Sequence, residues 1–306
     1  MICIGRCTAA ALASLTLGAC TTQPDADRAA AACNAPAGWA GVAAAAEGKV
    51  LIIGETHGTN EIPDAFARYV CAVSAQGGKT LVLLEYPATF ADAVSDASDA
   101  ADPHAVLVSR MQDHWSSRDG RGSAAMLEMV ETLIDLRQSG RDLTIEPMDQ
   151  MTGWPEADSP EALSAWLVAQ PPARVQQMRE DGMAAKIRDA SEGFDRTIVL
   201  VGNIHARKAE IDMLPGVRLM AMLIPDAISL FVTDDGGTVW ISARGSSTGV
   251  STQYSSNTTR RPANSMALGP DDMPAYPGDL PAYDGYLSVG AVTASPPPLP
   301  PADGAH

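Results

Sequence analysis

The sequence has few basic residues. It holds 21 lysines and arginines against 37 aspartates and glutamates, which gives a formal net charge of −16 at pH 7. Nucleic acids and anionic membrane surfaces attract clusters of positive charge and repel a chain this acidic. The composition therefore argues against nucleic acid and against an anionic membrane surface as partners. It leaves the oligomeric state open.

The apolar run at the N-terminus is too short to span a bilayer. It extends from Ala9 to Leu17, follows Arg6 and ends in Leu17–Gly18–Ala19–Cys20. This pattern is typical of a bacterial lipoprotein signal, in which residues 1–19 are removed and Cys20 becomes the lipidated first residue. The alternative is an ordinary secretory signal in which the cysteine occurs by chance. Both interpretations take the protein out of the cytoplasm, and the first makes the lipid its only membrane anchor.

The residues after Cys20 predict a location in the cell envelope and a tether. Thr21 and Thr22 stand where an aspartate would favour the inner membrane of Gram-negative bacteria, so we expect the outer membrane. Residues 20–37 are rich in alanine, aspartate and proline, a composition typical of a flexible linker. We expect the lipid-anchored protein to face the periplasm.

Cysteine is scarce as well. Of the five cysteines, Cys3 and Cys7 lie in the predicted signal and Cys20 is the predicted lipidation site. Cys33 and Cys71 remain, and the oxidising periplasm favours a disulfide between them. The alternative is two unrelated thiols, because a sequence does not give the geometry of a bridge. Such a bridge joins the end of the tether to the first helix and is structural, not catalytic.

The hydrophobic content of the chain is sufficient for the core of one catalytic domain. With 46% hydrophobic residues, the mature chain can bury one sizeable core, which we assign to residues 38–245. The last part of the chain is rich in serine, threonine and asparagine and then in proline, ending in Pro296–Pro301. It has little to bury, so we expect residues 246–306 to form a disordered tail.

The strongest local signal lies around His57. Val50–Ile53 are four apolar residues, three of them β-branched, and predict a buried strand. The run breaks at Gly54 into a turn that carries Glu55 and His57. A helix follows, with apolar residues at helical spacing: Ile62, Ala65, Phe66, Tyr69, Val70 and Val73. In open parallel sheets the reactive side chains lie just beyond the carboxyl ends of the strands, so we expect chemistry at this turn.

A second histidine repeats this arrangement. The strand predicted at Thr197–Val201 runs into Gly202–Asn203–Ile204–His205, so both motifs consist of a strand, a glycine, two residues and a histidine. The strand at Thr80–Leu84 ends on Glu85. Carboxyl ends of parallel strands lie at one edge of a sheet. We therefore expect His57 and His205 to face one pocket, with Glu55 and Glu85 at its wall.

Four further residues are candidates for substrate contacts or for the surroundings of this pocket. Asp149 follows a short strand, Leu143–Ile145; Tyr86 follows Glu85; Arg179 lies in a long predicted helix beside Asp181; and Arg68 shares a helix face with Glu61 and Asp64. For Arg68 a surface ion pair is an equal alternative. His114 and the arginines of the polar loop from His114 to Gly122 line either the cleft or the solvent, and we favour solvent for His114.

The alternation of strands and helices predicts an α/β fold with a mostly parallel central sheet flanked by helices. Three segments complete the sheet after the second histidine motif: Val217–Leu223, Ile228–Val232 and Val239–Ile241. The last two are separated by Asp234–Asp235–Gly236–Gly237, a turn sequence that predicts a C-terminal β-hairpin.

The paired motifs resemble the superfamily of Tiki/TraB proteins, ChaN-type haem-uptake proteins and erythromycin esterases, whose shared mark is a pair of Gly-x-x-His motifs after strands. The stretches like the erythromycin esterases are His57–Gly58–Thr59, Met148–Asp149–Gln150 and Arg179–Ala184. Those like the ChaN type are Gly54–His57, Gly202–Arg207 and the lipoprotein signal. The esterases carry an extra residue between glutamate and histidine. The resemblance implies a three-layer EreA/ChaN-like fold over roughly residues 49–230.

The esterase branch implies a hydrolase of ester, lactone or peptide bonds in a small-molecule or peptide substrate. In this interpretation His57, with Glu55 or Glu85, activates a water molecule, and His205 orients the water or stabilises the oxyanion. The Tiki branch is metal-dependent, and His57, His205 and Glu55 are ligand types for a divalent metal such as zinc, manganese or cobalt. The sequence leaves metal-free and metal-bound mechanisms open.

The ChaN branch implies a different function, haem binding in iron uptake. A haem site needs an axial tyrosine or histidine on an apolar surface, and Tyr69 and Tyr86 are the tyrosines near the motifs. Tyr69 is expected to pack inside its helix. A third interpretation is a non-catalytic lipoprotein that keeps only the fold.

Overall fold

The structure is a computed structural model that describes residues 32–117, 119–155, 159–241, 249–256, 259–269 and 282–300. The predicted signal, Cys20 and most of the predicted tether lie outside these residues. Within the described ranges, no helix is both long enough and apolar enough to cross a membrane.

The centre of the fold is one eight-stranded sheet. Its strands are β1 Val50–Glu55, β2 Thr80–Pro87, β3 Leu143–Asp149, β4 Arg196–Gly202, β5 Ile228–Trp240, β6 Val250–Gln253, β7 Ser265–Leu268 and β8 Gly285–Val292. The order is β3-β2-β4-β1-β5-β8-β7, and the pairs from β3 through β8 are parallel. β7 is antiparallel to β8, and β6 is antiparallel to the end of β5. The predicted mostly parallel α/β sheet is confirmed.

Helices cover both faces of the sheet. They are α1 Trp39–Ala45, α2 Glu61–Ser74, α3 Ala91–Asp99, α4 Pro103–Arg110, α5 Gln112–Trp115, α6 Ala124–Gln138, α7 Pro160–Val168 and α8 Pro172–Ala190. One apolar core joins a sheet face to α2 and α6, and the other joins the opposite face to α8. These are the three layers that the resemblance implied.

Local sequence explains where several helices begin. Ser123 and Ser159 accept hydrogen bonds from the amides of Met126 and Ala162, so each caps the first turn of its helix. Ser159 is followed by Pro160, whose fixed φ suits the first helical position. These caps determine where α6 and α7 start.

The prediction of a disordered tail is wrong for those parts of residues 246–306 that the structure describes. β8 pairs with β5 along its length, and Leu287 and Met266 are buried at 0% and 2% exposure. Beyond β8 the chain crosses the turn after β1, where Ser295 N donates to Gly58 O at 2.9 Å. The composition of the tail is polar on average, but its few apolar residues are concentrated in and near β8, the strand that pairs with β5. The domain therefore extends well past residue 245.

The predicted C-terminal hairpin and one predicted strand are also wrong. β5 continues from Ile228 to Trp240 through Asp234–Gly237, and shifts in its pairing with β8 absorb the turn residues. The chain does not reverse there because β5 is paired on both sides, with β1 and β8 and then with β6. Residues Met220–Leu223 form a short 3-10 helix, not the end of a strand.

The structure contains the disulfide between Cys33 and Cys71. Its two cysteines are 38 residues apart in the sequence, and the bridge fastens the start of the described chain to α2.

Reducing this disulfide is expected to lower the free energy of unfolding by about 2–4 kcal/mol, because the bridge restricts the unfolded chain. Thermal melts of a chain beginning at residue 21, with and without reductant, measure the effect. A Cys33→Ala/Cys71→Ala variant should melt like the reduced parent and should not respond to reductant. An unchanged melting temperature after complete reduction would contradict the expectation.

Candidate functional site

Four strands end at one edge of the sheet with polar side chains or a glycine. Glu55 is the last residue of β1, Asp149 the last of β3 and Gly202 the last of β4, while Glu85 lies near the end of β2. β4 lies between β1 and β2, and Glu55 pairs with Gly202. The parallel sheet therefore brings the sequence motifs together at its carboxyl end.

His57 forms a pair with Glu55. Its Nδ1 lies 2.9 Å from Oε1 of Glu55, and its Nε2 lies 3.6 Å from Oε2 of Glu85. Burial alone would lower the pKa of His57, but the negative charges of Glu55 and Glu85 outweigh it and raise the pKa above its ordinary value of 6.5. Gly58 makes the turn possible, because its φ is +81° and a side chain there would collide with the carbonyl of Trp240.

Glu85 is the centre of the site. Its Oε2 accepts a hydrogen bond from Gly202 N at 2.6 Å, and its Oε1 accepts one from Nη2 of Arg179 at 2.5 Å. Nη1 of Arg121 lies 3.4 Å and Nε2 of His205 3.7 Å from Oε1. Burial would raise the pKa of Glu85, but the neighbouring imidazoles and guanidinium groups lower it to about 2. Glu85 is therefore a permanent carboxylate at physiological pH.

His205 is held between Glu180 and Arg179. Its Nδ1 lies 2.7 Å from Oε1 of the fully buried Glu180, and its Nε2 lies 3.0 Å from Nη1 of Arg179. A guanidinium group only donates hydrogen bonds, so Nε2 accepts and Nδ1 carries the proton that Glu180 accepts. Both imidazoles thus direct Nδ1 at a carboxylate and bring Nε2 close to Glu85.

Arg179 is fixed by Asp149. Its Nε and Nη2 donate to Oδ1 and Oδ2 of Asp149 at 2.8 and 2.7 Å, a bidentate pair. Burial would lower the pKa of Arg179, but its hydrogen bonds and the charges of Asp149 and Glu85 raise it. Arg179 therefore keeps its positive charge at every accessible pH.

Arg121 is a second cation of the site, and it decides between the two positions that the sequence left open for the arginines of its loop, cleft or solvent, in favour of the cleft. It lies in the turn before α6, where Nη1 contacts Asp149 at 3.3 Å and Nη2 contacts Asp119 at 2.5 Å. Its turn packs against His57, since a Cβ on Gly120 would come within 2.9 Å of the Cβ of that histidine. Arg121 is 27% exposed, more than His57, Arg179 or His205.

Glu180 is a site residue that the sequence interpretation missed, although a signal was present. It precedes Met183, Ala184 and Ile187 at positions i, i+3, i+4 and i+7, so it lies in line with the buried stripe of α8. Asp181, considered instead, accepts from Gln177 at an exposed position.

Several predicted neighbours lie elsewhere. Arg68 pairs with Asp64 at 3.0 Å and lines a groove of about 270 Å³ between α2 and α6 beside the disulfide. Its predicted role near the site is wrong, because the described contacts of Arg68 do not include the cluster around Glu85. His114 is buried, not solvated, and its ring lies 4.4 Å from that of Tyr86. Burial lowers the pKa of His114 to about 4, so its imidazole is neutral.

The cluster does not fit the predicted divalent metal. Within the described ranges, no group of three histidine, cysteine or carboxylate side chains is arranged to hold a metal ion. Nε2 of His205, one of the predicted ligand atoms, accepts from Arg179, and so does Oε1 of the neighbouring Glu85. The guanidinium groups supply the positive charge that a metal would otherwise bring.

The haem alternative stays a prediction. Tyr69 and Tyr86 are 1% and 0% exposed, so both candidate axial tyrosines are enclosed in the apolar core of the α2 face.

No protein-family model and no curated protein matches this sequence. Solved structures do match its fold. An erythromycin esterase variant in its open conformation superposes with a TM-score of 0.55 at 13% identity, covering 80% of this chain and 91% of that one. A Bacillus cereus protein gives 0.57 at 12% identity over 82% and 90% of the two chains. A succinoglycan biosynthesis protein gives 0.54 at 12% identity over 80% and 88%.

Likeness at these identities shows the fold alone. The chain has an erythromycin-esterase-like fold, as the paired histidine motifs predicted. Membership of the Tiki/TraB branch and lipidation stay predictions.

Proposed function

We propose that this chain, with its erythromycin-esterase-like fold, is a cell-envelope hydrolase that activates water for attack on an ester, lactone or peptide bond. The observation that supports this most is the Glu55–His57 pair at the carboxyl end of β1, with its 2.9 Å contact. Glu55 accepts the Nδ1 proton, so Nε2 of His57 is the basic nitrogen. Export and lipidation of Cys20 at the outer membrane are part of the proposal and rest on the N-terminal motif.

The reaction needs one base and one oxyanion partner. Nε2 of His57 takes a proton from water while the water oxygen attacks the carbonyl carbon. The negative charge that develops on the carbonyl oxygen is stabilised by Arg121, the more exposed of the two arginines. His57 then gives its proton to the leaving alcohol or amine as the tetrahedral intermediate collapses. Glu85 stabilises the imidazolium between these two steps.

Arg179 and His205 have a supporting role in this proposal. Since Nε2 of His205 accepts from Arg179, it has no proton to offer an oxyanion. We therefore assign His205, with Glu180 behind it, to holding Arg179 against Glu85 and Asp149.

A substrate panel tests the proposal. The parent, His57→Gln and His104→Gln are incubated with esters, lactones and peptides, with and without EDTA, and product release is measured. His104 is the matched control, because it is 64% exposed and pairs with Glu131 on the surface. We expect His57→Gln to lose about 10²–10⁴-fold in turnover and His104→Gln to match the parent. Parent-like turnover in His57→Gln would overturn the proposal, and loss of parent activity in EDTA would overturn its metal-free form.

Turnover is expected to rise with pH through the pKa of His57. The base works only when Nε2 is unprotonated, and the neighbouring carboxylates raise the pKa above 6.5. The rising limb of kcat/KM should therefore have its midpoint above pH 6.5. Glu85, with a pKa of about 2, adds no limb between pH 5 and 9. A midpoint below pH 6 would contradict the assignment of His57 as the base.

A further inference from the structure

Three buried polar atoms lie behind the Glu55–His57 pair without a hydrogen-bond partner among the described residues. They are Oε2 of Glu55, the hydroxyl of Tyr86 and Nε2 of His114. Tyr86 is 0% exposed and Glu55 3%. Buried polar atoms are rarely left unpaired, and the rings of Tyr86 and His114 lie 4.4 Å apart, so these atoms indicate a built hydrogen-bonding site.

The sheet brings Tyr86 and Glu55 to the same face. Leu84 pairs with Leu200, and Glu55 pairs with Gly202, two residues after Leu200. The register of β2 shifts between Leu84 and Pro87, so the face of Tyr86 is indicated by the core in which it is buried. Side chains alternate along a strand, and Tyr86 shares the core of the α2 face with Ile53, the residue two before Glu55. Glu55 and Tyr86 therefore flank Gly202 on one face.

Gly202 makes room for the side chains of His57 and Glu85, which lie over it. A Cβ at this position would come within 2.9 Å of Nε2 of His57, so a larger residue would displace the imidazole. β1 and β2 are separated only by β4, about 10 Å in all, so Glu55 and Tyr86 belong to strands on either side of one neighbour. The charge of Glu55 also raises the pKa of Tyr86, after burial, which is the larger cause.

We propose that Tyr86 is a positioning residue for the general base. Its hydroxyl holds Oε2 of Glu55 through one buried water molecule, which also donates to Nε2 of His114. Three hydrogen bonds are what a buried water molecule typically makes, and this arrangement satisfies all three atoms. With Oε2 held, the other oxygen of Glu55 stays directed at Nδ1 of His57. This inference deepens the proposed function and rests on His57 as the base.

The Tyr86→Phe variant tests this role, with Tyr69→Phe as the matched control. Tyr69 is equally buried, but it lies beside Lys49 and Arg196, at the opposite end of the strands. In Tyr86→Phe the carboxylate of Glu55 is free to rotate. We expect kcat to fall roughly tenfold to a hundredfold with KM unchanged, because the hydroxyl lies below the site and does not touch substrate. Tyr69→Phe should keep both constants.

A second measurement needs no substrate. The Nδ1 proton of His57, bonded to a carboxylate, gives a downfield proton NMR signal that is assigned by its absence in His57→Gln. We expect this signal to move upfield or to broaden in Tyr86→Phe and in His114→Phe, and to persist in Tyr69→Phe. Parent-like signals in both variants would overturn the positioning role even if the parent hydrolyses its substrate. If the parent hydrolyses none of the substrates but the signal changes in both variants, the result would support the positioning role and contradict only the proposed function.

Discussion

A chain cut after Ser256 is expected to lose cooperative folding. The cut removes β7 and β8, and with them six buried apolar side chains: Met266, Ala282, Tyr283, Tyr286, Leu287 and Val292. Their burial contributes on the order of 10 kcal/mol, which is comparable to the whole stability of a typical domain. The cut also exposes the edge of β5, which pairs with β8 from Leu230 to Gly237.

The same cut acts on the candidate site. Segment 293–299 contacts the turn after β1 and the start of α6, where Ala124 N donates to Pro296 O at 2.8 Å. The turn after β1 carries His57, and α6 follows the turn that contains Arg121. The C-terminal segment therefore holds the base and the exposed arginine in one rigid arrangement.

Circular dichroism melts of the parent and the truncated chain measure this expectation. Two point variants grade the effect: Leu287→Ala should cost about 2–5 kcal/mol, while Leu268→Ala, at a position 37% exposed, should cost less than about 1 kcal/mol. A truncated chain that melts cooperatively within a few degrees of the parent would show that β8 is dispensable.

Replacing Glu85 by glutamine is expected to abolish turnover and to destabilise the fold. The substitution keeps the size of the side chain but leaves Arg179 and Arg121 without the carboxylate they surround. Removing one partner of a buried charge cluster is costly because the remaining charges stay desolvated. Loss of the Glu85 anion also removes the group that stabilises protonated His57, so both steps of the proposed reaction fail.

The size of the stability loss depends on pH in a way that can be checked. The folded pKa of Glu85, about 2, is lower than the ordinary value of 4.5, so ionised Glu85 contributes about 3 kcal/mol at neutral pH. This contribution is complete above pH 4.5 and is lost as the pH falls towards 2. The unfolding free energies of the parent and Glu85→Gln should therefore differ by about 3 kcal/mol at pH 7 and converge near pH 2.

Glu146→Gln is the control for that comparison. Glu146 lies on β3 and pairs with Lys186 at 2.6 Å, but its side chain is 33% exposed, and such a surface pair contributes at most about 1 kcal/mol. A difference between the parent and Glu85→Gln that stays constant from pH 7 to pH 2 would show that Glu85 does not titrate as described.

The sequence by itself determined which strand ends carry the residues of the candidate site. Glu55, His57, Glu85, Asp149 and His205 each follow an apolar run, and the carboxyl ends of parallel strands necessarily lie at one edge. The local signals were sufficient because a buried strand followed by a glycine turn is encoded in a few neighbouring residues. The cysteine count and the expected oxidising periplasm favoured a bridge from Cys33 to Cys71 and left two unrelated thiols as the alternative, and the bridge is present.

Only the tertiary structure decided which charges complete the site and where the domain ends. Arg121 reaches Glu85 from a turn 36 residues away, and Glu180 reaches His205 from α8, distances along the chain that no local pattern encodes. The face that a helix turns to the sheet depends on packing. Packing directs Arg179 of α8 to the site, whereas Arg68 of α2 pairs with Asp64. The sequence interpretation missed β8 for a related reason: the strand is stabilised by pairing with β5, not by the composition of its own segment.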